Sequence, residues 1–157
     1  ALRRFVGRPA FVRIEQQRPC RYRETDNTRA ARVVVPLVFH LESAGHQLCA
    51  GDTITVRAPG RAAVSLRNEV LVRLDQNSTL TLREVAPDAD TQLGLTEGIA
   101  HVISRWRKRL GVVTPFINAL VDGTEFTVLA SPGLSRVVVA EGRVRALRGR
   151  GATTFAA

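Results

Sequence analysis

Lysine is almost missing from this chain: of 23 basic residues only Lys108 is a lysine, so arginine carries the formal net charge of +9. An excess of that size brings nucleic acid, acidic lipid and acidic protein partners into consideration. Aromatic residues are scarce too, with six Phe, one Trp and one Tyr. That is too few for the stacking platforms on which nucleic-acid modules usually rely. Long apolar runs are lacking; a stretch such as Val33 to Phe39 is far below the ~18 to 20 residues that a membrane-spanning helix needs. Nothing in residues 1–11 has the apolar segment of a signal peptide, so any leader or anchor is expected to have been removed or to lie outside this chain.

Catalytic signatures are absent as well. There is no G-x-S-x-G elbow, phosphate-binding loop, dinucleotide fingerprint or H-E-x-x-H helix. Asp122-Gly123-Thr124 has the residues of an aspartic-protease triplet in the wrong order, and it reads instead as a hairpin turn feeding a strand. The expectation is a non-enzyme with no cofactor and no small-molecule substrate.

Cysteine is limited to Cys20 and Cys49, which allow one intramolecular pairing. A disulfide between them fits an oxidising compartment, and two buried thiols fit a reducing one. With His40 and His46 they supply the imidazole and thiolate chemistry that zinc needs, Cys20 being a conceivable fourth ligand. The spacing matches no closed zinc motif, and Leu48-Cys49-Ala50 reads as a buried strand end before a turn, so no metal is expected. His101 stands alone and is read as structural.

What is present is a β pattern. Apolar and polar residues alternate in Ala62-Ala63-Val64-Ser65-Leu66, Leu71-Val72-Arg73-Leu74, Leu80-Thr81-Leu82-Arg83 and Phe126-Thr127-Val128, the period of two that turns one face inward. Turn residues separate these stretches at Ala50-Gly51-Asp52, Pro59-Gly60, Asp75-Gln76-Asn77, Asp122-Gly123, Ser131-Pro132-Gly133 and Glu141-Gly142. The cadence predicts an all-β domain of many short strands, a compact β-sandwich or a short β-solenoid-like stack. Helical signal is weak. Gly98 to Leu110 is the best helix candidate, but Ile99, His101 and Ile103 also fit a strand, and a short helix or irregular link is open around Pro87 to Leu95. Asp75-Gln76-Asn77-Ser78 is expected to be a turn capped by its own side chains; Asn77-Ser78-Thr79 within it is formally a glycosylation acceptor.

The charge is uneven along the chain. Residues 1–32 hold nine Arg and three acids, residues 33–132 nine bases and ten acids, and residues 133–157 five Arg and one acid. The excess therefore sits at the two ends, and the middle is nearly neutral apart from Arg105-Trp106-Arg107-Lys108-Arg109. Arginine around a tryptophan suits an anion or protein-partner patch, with Arg105, Trp106, Arg107 and Arg109 as the contact residues. A solvated loop with Trp106 at the core edge accounts for the same residues, and both readings stand.

Several motifs occur in series: Leu48-Cys49-Ala50-Gly51-Asp52-Thr53-Ile54, Arg61-Ala62-Ala63-Val64, Leu71 to Leu80, Gly98 to Arg105, Val113-Thr114-Pro115-Phe116-Ile117-Asn118-Ala119, Asp122-Gly123-Thr124-Glu125-Phe126, and Val139-Ala140-Glu141-Gly142-Arg143-Val144. Together they resemble the FecR domain of iron-transport regulators that signal to sigma factors. On this reading residues 1–46 are an Arg-rich entry segment with one or two strands, residues 47–147 the FecR-like β domain, and residues 148–157 a basic tail. The resemblance implies a non-enzymatic all-β domain of the periplasm or of another exported bacterial protein, whose expected partner is another protein of the cell envelope. In the regulators it joins an inner-membrane helix to a small domain that meets an outer-membrane transporter, and none of those neighbouring parts is expected in this chain. The Cys49-x-Gly51-Asp52 version is also similar to FecR domains of exported proteins with tetratricopeptide or peptidoglycan-binding modules. An anionic polymer, envelope glycan, lipid phosphate or nucleic acid held by the basic termini, is the alternative partner. Most motif residues are expected to be architectural, with Pro115 at a strand edge or bend, Gly123 and Gly142 in turns, and Glu125 bonded to nearby backbone donors.

Overall fold

In the computed structural model, the described residues are 11–15, 31–34, 46–66, 69–84, 90–105, 110–121, 123–148 and 151–156. They contain strands and turns and no helix. In chain order the strands are β1 (Val12–Glu15), β2 (Ala31–Val34), β3 (His46–Leu48), β4 (Thr53–Val56), β5 (Ala62–Leu66), β6 (Val70–Leu74) and β7 (Ser78–Glu84). There follow β8 (Thr91–Ser104), β9 (Leu110–Val113), β10 (Asn118–Val121), β11 (Glu125–Ser131), β12 (Leu134–Glu141), β13 (Arg143–Arg148) and β14 (Gly151–Ala156). The described residues are all-β, as the alternation requires, and the described parts of both helix candidates are strand: Thr91 to Leu95 and Gly98 to Ser104 belong to β8.

All the strands join one hydrogen-bonded network through β8. Its first half pairs antiparallel with β7 and parallel with β9, and its second half pairs antiparallel with β6 and β11. One wing therefore runs β1-β4-β7-β8-β9-β10-β13-β14, and the other runs β3-β2-β5-β6-β8-β11-β12. Among the described residues only the β8–β9 ladder is parallel. Neighbours in sequence thus meet mainly as antiparallel hairpins and meanders, not as the parallel rungs of a solenoid.

The passage of β8 from one wing to the other occurs at Gly98. Its φ is +97°, a value that only glycine adopts without strain. A Cβ there would lie 2.2 Å from Ser78 Oγ and 2.4 Å from Ser78 Cα. Ser78 is fully buried and repairs the interrupted ladder: its hydroxyl accepts the Ile99 N–H at 3.0 Å and reaches the Ile99 carbonyl at 3.2 Å. A small polar residue opposite a glycine is what lets the strand turn with its backbone groups satisfied.

Both wings turn their apolar faces to one core. Ile54, Leu80, Leu82, Leu93 and Leu95 enter from the first, and Val64, Val72, Leu74, Val102, Phe126 and Val128 from the second. At about 1.5–3 kcal/mol for each large aliphatic side chain removed from water, this cluster is the main stabilising term. In β4 the parity is strict: Ile54 and Val56 are buried, and Thr53 and Thr55, which alternate with them, are half-buried, with Thr53 bonded across to Thr81 at 2.9 Å.

Candidate interaction surfaces

The motif residues converge on turns. In the first, the Cys49 N–H donates to Asp52 Oδ2 at 2.8 Å and the Asp52 N–H donates to the Cys49 carbonyl at 3.1 Å, closing a reciprocal loop around Gly51 at φ +95°. Asp52 is 1% exposed, and the Leu82 N–H donates to the Asp52 carbonyl at 2.9 Å, tying the turn to β7. Charge-assisted bonding to a backbone N–H is a structural use of an aspartate.

The second turn is Thr114-Pro115-Phe116-Ile117. Thr114 Oγ1 accepts the Ile117 N–H at 2.9 Å and the Phe116 N–H at 3.3 Å, and the Thr114 N–H donates to the Ile117 carbonyl at 2.8 Å. The hydroxyl also lies 2.8 Å from Ser135 Oγ on β12, so this side chain both caps its own turn and fastens it to the β11–β12 hairpin.

At the third place two motifs touch. Gly142 has φ +88°, and a Cβ on it would come within 2.5 Å of Thr124 Cγ2 and 2.9 Å of the Gly123 carbonyl oxygen. Thr124 is 3% exposed, its carbonyl accepts the Ser104 N–H at 2.9 Å, and its Oγ1 is buried with no hydrogen-bond partner among the described residues.

Glu125 departs from its expected role. It holds the ring of His101, Oε1 lying 3.0 Å from Nε2, while His101 Nδ1 meets Thr127 Oγ1 at 2.9 Å. His101 stands directly opposite Thr127 in the β8–β11 ladder, so the cluster follows from register, and strand pairing is the signal that would have found it.

Arg105 is exposed just beyond β8, and Trp106, Arg107 and Arg109 lie outside the described residues. His40 and Cys20 do as well; His46 begins β3, but its side chain is outside the description. Cys49 is disulfide-bonded, and a sulfur so bonded is not the thiolate that zinc binds. Among the described residues no group of three His, Cys, Asp or Glu is placed to hold a metal, and no helix is long and apolar enough to cross a membrane. Asp75 Oδ1 accepts the Gln76 N–H at 2.9 Å, the self-capped turn expected there.

A family model described as FecR protein matches residues 52–145, more than half of the 157 residues. The chain belongs to the FecR family. Asp52, Thr114, Gly123, Thr124 and Gly142 all fall inside the matched span, so in this FecR chain those positions are occupied by turn-forming and packing groups. No curated protein matches the chain. Among solved structures it is similar to two crystal structures, at 1.65 and 2.50 Å resolution, of a "putative anti-sigma factor" from Parabacteroides distasonis ATCC 8503. Each matches with a TM-score of 0.61 at 19% identity, covering 66% of this chain and 50% of the other. The likeness is one of fold, and the chain spans about half the length of that protein.

Proposed function

We propose that this FecR chain is a non-enzymatic protein-interaction or sensory module of a signalling regulator in the bacterial cell envelope. The observation that carries the reading is the use made of the family's motif residues. Asp52, Thr114 and Gly142 spend their chemistry on backbone turns and close packing, which leaves a β framework suited to contact. The family membership and the anti-sigma factor of similar fold support a regulatory setting. A disulfide at Cys49 supports an oxidising compartment such as the periplasm, with Cys20 as its partner. Arg105, Trp106, Arg107 and Arg109 remain the proposed contact patch of the 105–109 connection. The test is a photo-crosslinking residue at position 105 in the parent protein in intact cells. A defined protein adduct, lost when Trp106, Arg107 and Arg109 are replaced by alanine, is expected; no adduct, or one unaffected by those changes, overturns the assignment.

A second reading is favoured by the exposed Arg143, Arg145 and Arg148 on β13, three of the five arginines of the basic C-terminal end. An anionic envelope polymer or nucleic acid bound there would be released steeply between low and physiological salt. Salt-independent binding, or none, removes this reading.

A further inference from the structure

Among the described residues, β12 is an edge strand. It pairs there with β11 alone, although at eight residues it is longer than β10, β11 or β13. Edge strands are ordinarily blunted by proline, lysine, a central bulge or short length. Leu134–Glu141 contains neither proline nor lysine, and its register shift lies at its far end, opposite Glu125 and Phe126. Leu134 and Val138 on its outward face are 48% and 54% exposed, with Arg136 exposed between them and free of any ion pair with a described residue. The Thr114–Ser135 bond brings the turn carrying Phe116, itself 43% exposed, to the start of the same strand.

We infer that β12 accepts an extended segment of a partner protein as an added antiparallel strand, one that carries apolar, acidic and apolar residues at alternate positions. Main-chain bonding to an exposed sheet edge supplies the attachment, and the alternate side chains supply the choice of segment. In antiparallel register the two apolar residues face Leu134 and Val138, and the acid faces Arg136. The β12 strand of a second copy does not meet that requirement, because its own Leu134, Arg136, Val138 and Ala140 offer no acid to stand opposite Arg136. The inference rests on reading the chain as a protein-interaction module and names the surface it would use.

The probe is a synthetic heptapeptide of threonine with valine, glutamate and valine at its second, fourth and sixth positions, compared with the version carrying lysine for glutamate. Binding is read by anisotropy of the labelled peptides and by amide hydrogen exchange of the protein. The glutamate peptide is expected to slow exchange within residues 134–139 and to bind about five-fold more tightly than the lysine peptide, with Arg136→Glu reversing the order. Equal binding of both peptides, no binding, protection confined to another strand, or protection of β12 by self-association without peptide overturns the inference. Each of those results concerns β12 alone, so a crosslink formed through position 105 would leave the broader reading intact.

Discussion

Replacing Gly98 with alanine should be the most damaging single-methyl change in the described structure. The backbone there has φ +97°, and holding an L-residue in so sparsely populated a region costs about 1–3 kcal/mol. The added Cβ would also sit 2.2 Å from Ser78 Oγ, 2.4 Å from Ser78 Cα and 2.6 Å from the Asn77 carbonyl oxygen. Two of those three atoms are backbone, so no rotamer change relieves the overlap, and forced repacking adds about 1–3 kcal/mol. Displacing Ser78 would weaken its bonds to Ile99, worth about 1 kcal/mol each. The expected loss is about 4–6 kcal/mol, a large share of the roughly 5–15 kcal/mol that keeps a domain folded. Urea unfolding followed by circular dichroism measures it, with the m-value checked for constancy. Gly133→Ala is the control: its φ is +77° but nothing lies within 4 Å of the added carbon, so it should show the backbone cost alone. Were the two variants to lose stability equally, the close approach of Ser78 would not be what holds the bend in β8.

Other substitutions test the turns. Thr114→Val removes an acceptor for two N–H groups at a site 7% exposed and should cost about 2–4 kcal/mol in the same unfolding assay, whereas Thr114→Ser should stay within about 1 kcal/mol of the parent. Thr124→Val exchanges a buried hydroxyl without a described partner for a methyl group, and calorimetry should find it neutral or stabilised by up to about 1 kcal/mol. If Cys20 is the partner of Cys49, non-reducing peptide mapping will join the two, and Cys20→Ser should lower stability by about 3–4 kcal/mol for a closed loop of roughly 30 residues.

The short strands were legible because their side chains obey a local rule. Leu80 and Leu82 alternate with Thr79, Thr81 and Arg83, and each is buried where that parity puts it. The course of β8 was not legible. Val102-Ile103 suits a strand, but nothing local tells that Thr91 pairs in parallel with Leu110 while Val102 pairs with both Val72 and Phe126. Those partners are set by how two wings close over one core. The motif residues were readable as architecture, yet Glu125 engaged an imidazole one strand away because a cross-strand register, not a sequence neighbour, placed it there. The run Val137-Val138-Val139 hid the edge character of β12, since burial on one side only becomes visible once its partners are known.

Genome-wide transcript profiling tests the proposed signalling role most directly, measured in the source organism with the gene for this chain intact and with the codons for residues 47–147 removed in frame. The account predicts that removal changes the transcriptional response to stimulus while the remaining protein is still made at its normal level. An unchanged response would contradict a role for this domain in signalling.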